Sequence, residues 1–258
     1  MRPAFAQSDG LSIAFWRSGA GRPLVLVHGW GADTRTNWVE TGWIQALEPR
    51  RTLIAIDIRG HGRSDKPHAR EHYGYDAMSR DVLAVMDALE LETCDFMGYS
   101  MGAFMGAWLL GHHPERFTAM VLGGIGNESA ASAAQGARIA RILREPELAA
   151  SDRSAAGVLA FVASVPDADT EALACSAEQM WPEGYPLVLA GSGVSNARFP
   201  VLIVNGEHDH PYVDTADAFA QVLPDARHVV IPETDHLTTV WSEAFKQAVL
   251  GFLVSAGP

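Results

Sequence analysis

The sequence predicts an α/β fold, with a mostly parallel, doubly wound sheet of eight strands and a helical lid inserted after the sixth strand. Three observations carry this expectation. Short apolar runs alternate with longer segments of helical periodicity, the pattern of βα units feeding a parallel sheet. Several runs, such as Leu24-Val25-Leu26-Val27, are continuously apolar and partly β-branched, as strands buried on both faces must be. The alternation stops once, for about 74 residues between Ile125 and Arg198, and resumes at Phe199-Pro200-Val201.

Taken in order, residues 4–7 and 11–15 read as a hairpin across Ser8-Asp9-Gly10. Residues 24–27, 53–56, 95–97, 120–122, 201–204 and 228–231 are the later strands. Met78, Val82, Val85, Met86 and Leu89 share one helical face, and so do Met101, Phe104, Met105, Trp108 and Leu109. Both stripes read as core packing rather than as a cofactor site. The long interruption is alanine-rich and holds no strand pattern. Helical stretches around 137–144 and 157–163 are separated by Glu145-Pro146 and Pro166-Asp167. An all-helical insertion between two strands reads as a lid over the strand ends. The expected division is a core of residues 1–124 and 199–258 with a lid of residues 125–198.

Composition narrows the function classes. The 258 residues are 48% hydrophobic, enough for a substantial core, and 31 Asp+Glu against 19 Lys+Arg give a formal net charge of −12. That balance argues against nucleic acid or an anionic membrane as partner, favours a soluble protein and mildly disfavours polyanionic substrates, which leaves a small molecule as the expected partner. The two cysteines, Cys94 and Cys175, show no zinc-like spacing and read as buried, reduced thiols. The N-terminal residues lack the charged start and apolar core of a signal peptide, and no apolar run reaches membrane-spanning length. The expectation is a cytoplasmic protein without cofactor or metal; its oligomeric state stays open.

The chemistry concentrates in Gly98-Tyr99-Ser100-Met101-Gly102, between a predicted strand and a predicted helix. A serine on such a bend has its hydroxyl lifted into the open, and flanking glycines let strand and helix approach without Cβ clashes. Ser100 therefore reads as a nucleophile. It needs a base, and His236, in Pro232-Glu233-Thr234-Asp235-His236, follows the last strand at the same sheet edge. His228 lies on a predicted strand and reads as structural. The base needs an orienting acid, for which Asp209 in Gly206-Glu207-His208-Asp209-His210-Pro211 is the best placed; Glu128, Glu207, Asp214 and Asp235 compete. His208 and His210 read as turn residues. The backbone N–H groups of Trp30, in His28-Gly29-Trp30-Gly31, and of Met101 would form an oxyanion hole, with His28 a packing residue. Met180, Trp181 and Leu237 are candidate substrate-lining residues.

Together these segments resemble the α/β-hydrolase superfamily over nearly the whole chain. The matching pieces are Ser8-Asp9-Gly10, residues 23–30, residues 57–67 (Asp-Ile-Arg-Gly-His-Gly-Arg-Ser-Asp-Lys-Pro), Gly98–Gly102, His113-Pro114-Glu115-Arg116, and the Asp209 and His236 turns. The resemblance implies an α/β-hydrolase fold in which segment 57–67 is structural and borders the site, with no catalysis carried over to His61 or Asp65. Departures narrow the chemistry. Dehalogenases and epoxide hydrolases of this fold carry Asp at the elbow, where this chain has Ser100. Carbon–carbon bond hydrolases usually carry Trp after the catalytic His, where this chain has Leu237, and haloperoxidase or perhydrolase relatives often carry Pro where it has Gly31. Residues 57–67 and 98–102 also resemble enol-lactonases. The reading is a serine hydrolase of the esterase and lactonase-like branch, cleaving carboxylic esters of small to medium apolar substrates through an acyl-enzyme. The expected partner is therefore a small-molecule ester or lactone. Its rivals are a lactonase, a perhydrolase or C–C hydrolase, a lyase reusing the triad, and a ligand-sensing protein that keeps it.

Overall fold

Successive residues of the central strands face two different cores, which is the physical content of their unbroken hydrophobicity. Leu24 and Leu26 join a cluster with Trp38, Trp43 and Phe245, while Val25 and Val27 join one with Met78, Phe104 and Phe219. Helices therefore cover the sheet on both sides. The computed structural model describes residues 2–127, 133–151, 153–180 and 186–256.

The strands are β1 (Ala4–Ser8), β2 (Leu11–Gly19), β3 (Arg22–Val27), β4 (Arg51–Ile56), β5 (Cys94–Tyr99), β6 (Phe117–Gly123), β7 (Val201–Gly206) and β8 (Ala226–Ile231). They form one eight-stranded sheet in the order β1-β2-β4-β3-β5-β6-β7-β8. The β1–β2 and β2–β4 pairs are antiparallel and all later pairs parallel. The chain runs outward from β3 to β4, then crosses back to place β5 on the other side of β3. Loops leaving β3 and β5 thus diverge at the carboxyl edge of the sheet, opening the crevice in which such folds bind ligands.

The helices are α1 (Trp43–Leu47), α2 (Tyr75–Ala88), α3 (Met101–His112), α4 (Ala133–Arg144), α5 (Arg153–Ala163), α6 (Thr170–Met180), α7 (Pro186–Ala190), α8 (Tyr212–Gln221) and α9 (Glu243–Ser255). The methionine and aromatic stripes of α2 and α3 are core: Met78, Val82, Val85, Met86, Met101, Phe104, Met105 and Leu109 are all buried, with Leu89 and Trp108 packed against them.

Between β6 and β7 the described residues are helical. Ile139, Ala140, Leu143, Val162, Leu173, Ala174 and Ala177 make a small core of their own. Helix α6 was not expected, because three of its buried positions, Ala172, Ala174 and Ala177, are alanines that carry little hydrophobic signal. The expected boundaries at Glu145-Pro146 and Pro166-Asp167 coincide with the ends of α4 and α5 to within a few residues.

Segment 57–67 is tied down by charge. Arg59 donates to both Asp81 carboxylate oxygens, with its shortest contact at 2.6 Å, and to Asp9 at 2.9 Å, Ser8 at 3.1 Å and the His72 carbonyl at 3.0 Å. Arg59 is 1% exposed and Asp81 wholly buried. Burial drives the Asp81 carboxyl upward against the pull of Arg59, so the pair stands only because each charge faces the other.

Candidate active site

Ser100 lies at the tip of the β5–α3 bend with φ 51° and ψ −116°, a conformation that costs a non-glycine residue about 1–3 kcal/mol. The bend holds because its neighbours leave no alternative. A Cβ on Gly98 would collide with the Gly102 carbonyl, and one on Gly102 with the Val27 carbonyl. Strand β5, helix α3 and the end of β3 are thus in backbone contact. The Ser100 N–H donates to the Gly123 carbonyl at 2.8 Å, which pins the bend to the end of β6.

Asp209 follows β7 and is 1% exposed. Its N–H donates to the Gly206 carbonyl at 3.1 Å and its carbonyl accepts from Val213 N–H at 2.9 Å, so its backbone is fixed on both sides. Its Oδ1 lies 2.8 Å from His236 Nδ1, and Asn205 Nδ2 donates to Oδ2 at 3.4 Å. His236, on the loop after β8, presents Nε2 to Ser100 Oγ at 2.9 Å. A carboxylate can only accept, so the proton on this side of the ring sits on Nδ1, and Nε2 is left as the acceptor facing the hydroxyl. Three distant segments are brought together in one hydrogen-bonded chain.

The competing acids are engaged elsewhere. Glu207 accepts from Glu233 N–H at 3.0 Å, and Asp214 contacts His210 at 2.8 Å. Asp235 accepts from the Thr238 hydroxyl and from the N–H groups of Leu237 and Thr238, contacts that hold its carboxyl below the usual range. Glu128 lies outside the described residues. His228, on β8, pairs with Asp217 of α8 at 2.9 Å. His28 is buried, with its Nδ1 against the Gly29 carbonyl at 2.8 Å and its Nε2 accepting from Ile58 N–H at 3.2 Å; it braces the loop after β3.

That loop lies against the bend: a Cβ on Gly29 would stand 3.5 Å from Ser100 Cβ. Gly29 N–H is taken by Asn37 Oδ1 at 2.9 Å, which fixes the loop immediately before Trp30. Met101 opens α3, where the first N–H groups have no helical acceptor and the helix dipole is positive.

A cavity of about 570 Å³ opens over the hydroxyl. Trp30, Tyr75, Phe104, Tyr212, Val240 and Trp241 from the sheet side line it, with Ile139, Phe161, Val165 and Met180 from the insertion. Both Met180 and Leu237 lie in this lining, whereas Trp181 falls outside the described residues. Among the described residues no group of three His, Cys, Asp or Glu side chains could hold a metal ion, and no helix is long and apolar enough to cross a membrane.

Four contributors were missed in the sequence. Tyr99 donates its hydroxyl to the His236 carbonyl at 2.6 Å, and burial keeps that phenol protonated. The Tyr212 ring lies 5.2 Å from that of His236, its phenol pushed up to about 12 by burial and by Asp209. Asn37 sets the loop as described, and Ser176 on α6 accepts from Trp30 Nε1 at 2.9 Å. Only Tyr99, inside the glycine-flanked pentapeptide, sits where sequence could have singled it out.

Residues 22–144 match the family model described as alpha/beta hydrolase fold. Over 260 residues the chain is 28% identical to a 3-oxoadipate enol-lactonase 2 of Acinetobacter baylyi, covering 95% of this chain and 93% of that one. It is 27% identical over 277 residues to a putative 2-succinyl-6-hydroxy-2,4-cyclohexadiene-1-carboxylate synthase of Bacillus subtilis, covering 96% and 97%. Among solved structures, a hydrolase from Pseudomonas aeruginosa PA01 superposes with a TM-score of 0.81 at 27% identity, covering 97% of this chain and 98% of the other. With this sheet, bend and relatives, the chain has the α/β-hydrolase fold.

Proposed function

We propose that this hydrolase cleaves carboxylic esters of small to medium, mostly apolar substrates through an acyl-enzyme formed on Ser100. The observation that supports this most is the unbroken chain of 2.9 Å from Ser100 Oγ to His236 Nε2 and 2.8 Å from His236 Nδ1 to Asp209 Oδ1. Such a chain raises the nucleophilicity of a hydroxyl that is otherwise inert near neutrality. In the reaction, Ser100 Oγ attacks the ester carbonyl while its proton passes to Nε2. Asp209 stabilises the imidazolium, and the Trp30 and Met101 amides receive the oxyanion. The alkoxide leaves with the Nε2 proton. Water, deprotonated by the same nitrogen, then attacks the acyl-enzyme and releases the acid and free Ser100.

Helices α4, α5 and α6 act here as the lid: Ile139, Phe161 and Met180 bring an apolar roof from each to the cavity, which suits hydrocarbon on either side of the ester. The full-length likeness to an enol-lactonase favours one further reading, since a lactone is a cyclic ester opened by the same steps. The test is Ser100→Ala with p-nitrophenyl butyrate and a panel of simple lactones. Turnover should drop to background while the circular dichroism spectrum stays unchanged; undiminished turnover would refute the assignment of the nucleophile. The ratio of ester to lactone rates in the unmutated enzyme decides between the two substrates.

A further inference from the structure

Resting on the ester-hydrolase reading, we infer that the site selects uncharged substrates and rejects esters that carry a second, free carboxylate. The observation is one of charge. Among the described residues lining the cavity there is no lysine or arginine, and Glu40 is the one carboxylate. Two arginines of the overlying helices are held by carboxylates that do not line the cavity. Arg144 pairs with Glu171 at 2.8 Å and Glu178 at 2.6 Å, and Arg141 with Glu145 at 3.4 Å. Arg35 is held to Glu40 at 2.9 Å but lines the neighbouring cleft, among Asp33, Asp57 and Asp167.

Among the described lining residues the only group able to become positive is His236, and it must stay neutral to receive the Ser100 proton. Behind it lies the buried Asp209 carboxylate. An anionic substrate tail would therefore lose its hydration shell against Phe104, Phe161 and Met180 with no free cation to replace it, the one lining carboxylate, Glu40, already holding Arg35. A neutral tail of the same length meets no such cost.

The test compares p-nitrophenyl hexanoate with mono-p-nitrophenyl adipate, which replaces the terminal methyl with a carboxylate at the same carbon number, after subtraction of spontaneous hydrolysis. The kcat/KM for the anionic ester should be lower by at least about tenfold, a modest share of the cost of stripping water from an unpaired carboxylate. Glu40→Lys should narrow the gap by about fivefold, since it exchanges a negative for a positive surface charge. A gap below tenfold overturns the inference, and a gap unmoved by Glu40→Lys removes Glu40 from it. If neither ester is turned over, the hydrolase reading fails by itself. The charge inference is then read by calorimetry on Ser100→Ala with ethyl hexanoate and monoethyl adipate, where equal affinities overturn it.

Discussion

Replacing Asp209 by asparagine is the perturbation that probes the site's electrostatics with the least change in shape. The carboxylate is 1% exposed, with Oδ1 2.8 Å from His236 Nδ1 and Oδ2 receiving Asn205 Nδ2 at 3.4 Å. An asparagine can settle there in two ways. If its Nδ2 faces the imidazole, Nδ1 must become the acceptor, and Nε2–H then points at Ser100 and cannot take its proton. If its carbonyl stays on Nδ1–H, its Nδ2 meets the donor of Asn205, which must turn its unpartnered Oδ1 inward to accept. The second arrangement keeps the tautomer and loses only the negative charge facing the imidazolium.

Loss of a charged hydrogen bond is worth about 1.5–3 kcal/mol, or roughly 10- to 150-fold in rate. The wrong tautomer is worth about 10⁴-fold in the serine protease precedent. The expected fall in kcat/KM for p-nitrophenyl butyrate is therefore about 10- to 10⁴-fold, and it should appear in kcat with KM little changed. Removing a buried charge leaves the fold intact, so the thermal midpoint should hold or rise. Activity within about fivefold of the unmutated enzyme, with the fold preserved, would refute the argument that Asp209 orients and stabilises His236.

Two further outcomes test the scaffold. Arg59→Met should lower unfolding free energy by about 3–5 kcal/mol in urea titration, because it leaves the wholly buried Asp81 charge unmatched; an Arg59→Met, Asp81→Leu pair should recover much of the loss. His61 is buried beside His28, and desolvation foremost lowers its pKa from 6.5 to about 3. The unfolded chain therefore binds a proton that the folded chain refuses. Stability present above about pH 6.5 should fall with pH through that window, and stop falling on this account near pH 3, at about 1.4 kcal/mol per unit. Urea midpoints measured from pH 7 to 4 should show a shallower slope in His61→Leu than in the unmutated protein, and parallel slopes would contradict the argument.

How much was legible in the sequence follows the range of the signal. Unbroken runs such as Leu24-Val25-Leu26-Val27 and the stripe from Met78 to Met86 declare strands and helices because burial on two faces, or on one stripe, is written residue by residue. The Gly98 and Gly102 positions likewise declare the bend, since no side chain fits where β5, α3 and the end of β3 touch. Helix α6 was not legible: Ala174 and Ala177 pack in the core it shares with Ile139 and Leu143 of α4, and a small residue becomes a packing residue only opposite something.

The sequence by itself determined the order of the elements, the strained serine and the types of acid and base available, because each depends on residues close together in the chain. Which carboxylate meets His236 was decided by tertiary structure. Glu207, Asp209 and Asp214 differ by a few positions, and only the turn after β7, held by backbone bonds to Gly206 and Val213, brings one of them to 2.8 Å from the ring. The same holds for Tyr99, Asn37 and Ser176, whose partners lie 137, 8 and 146 positions away. Chain folding sets hydrogen-bond distances across such separations, and a one-dimensional pattern carries no record of them.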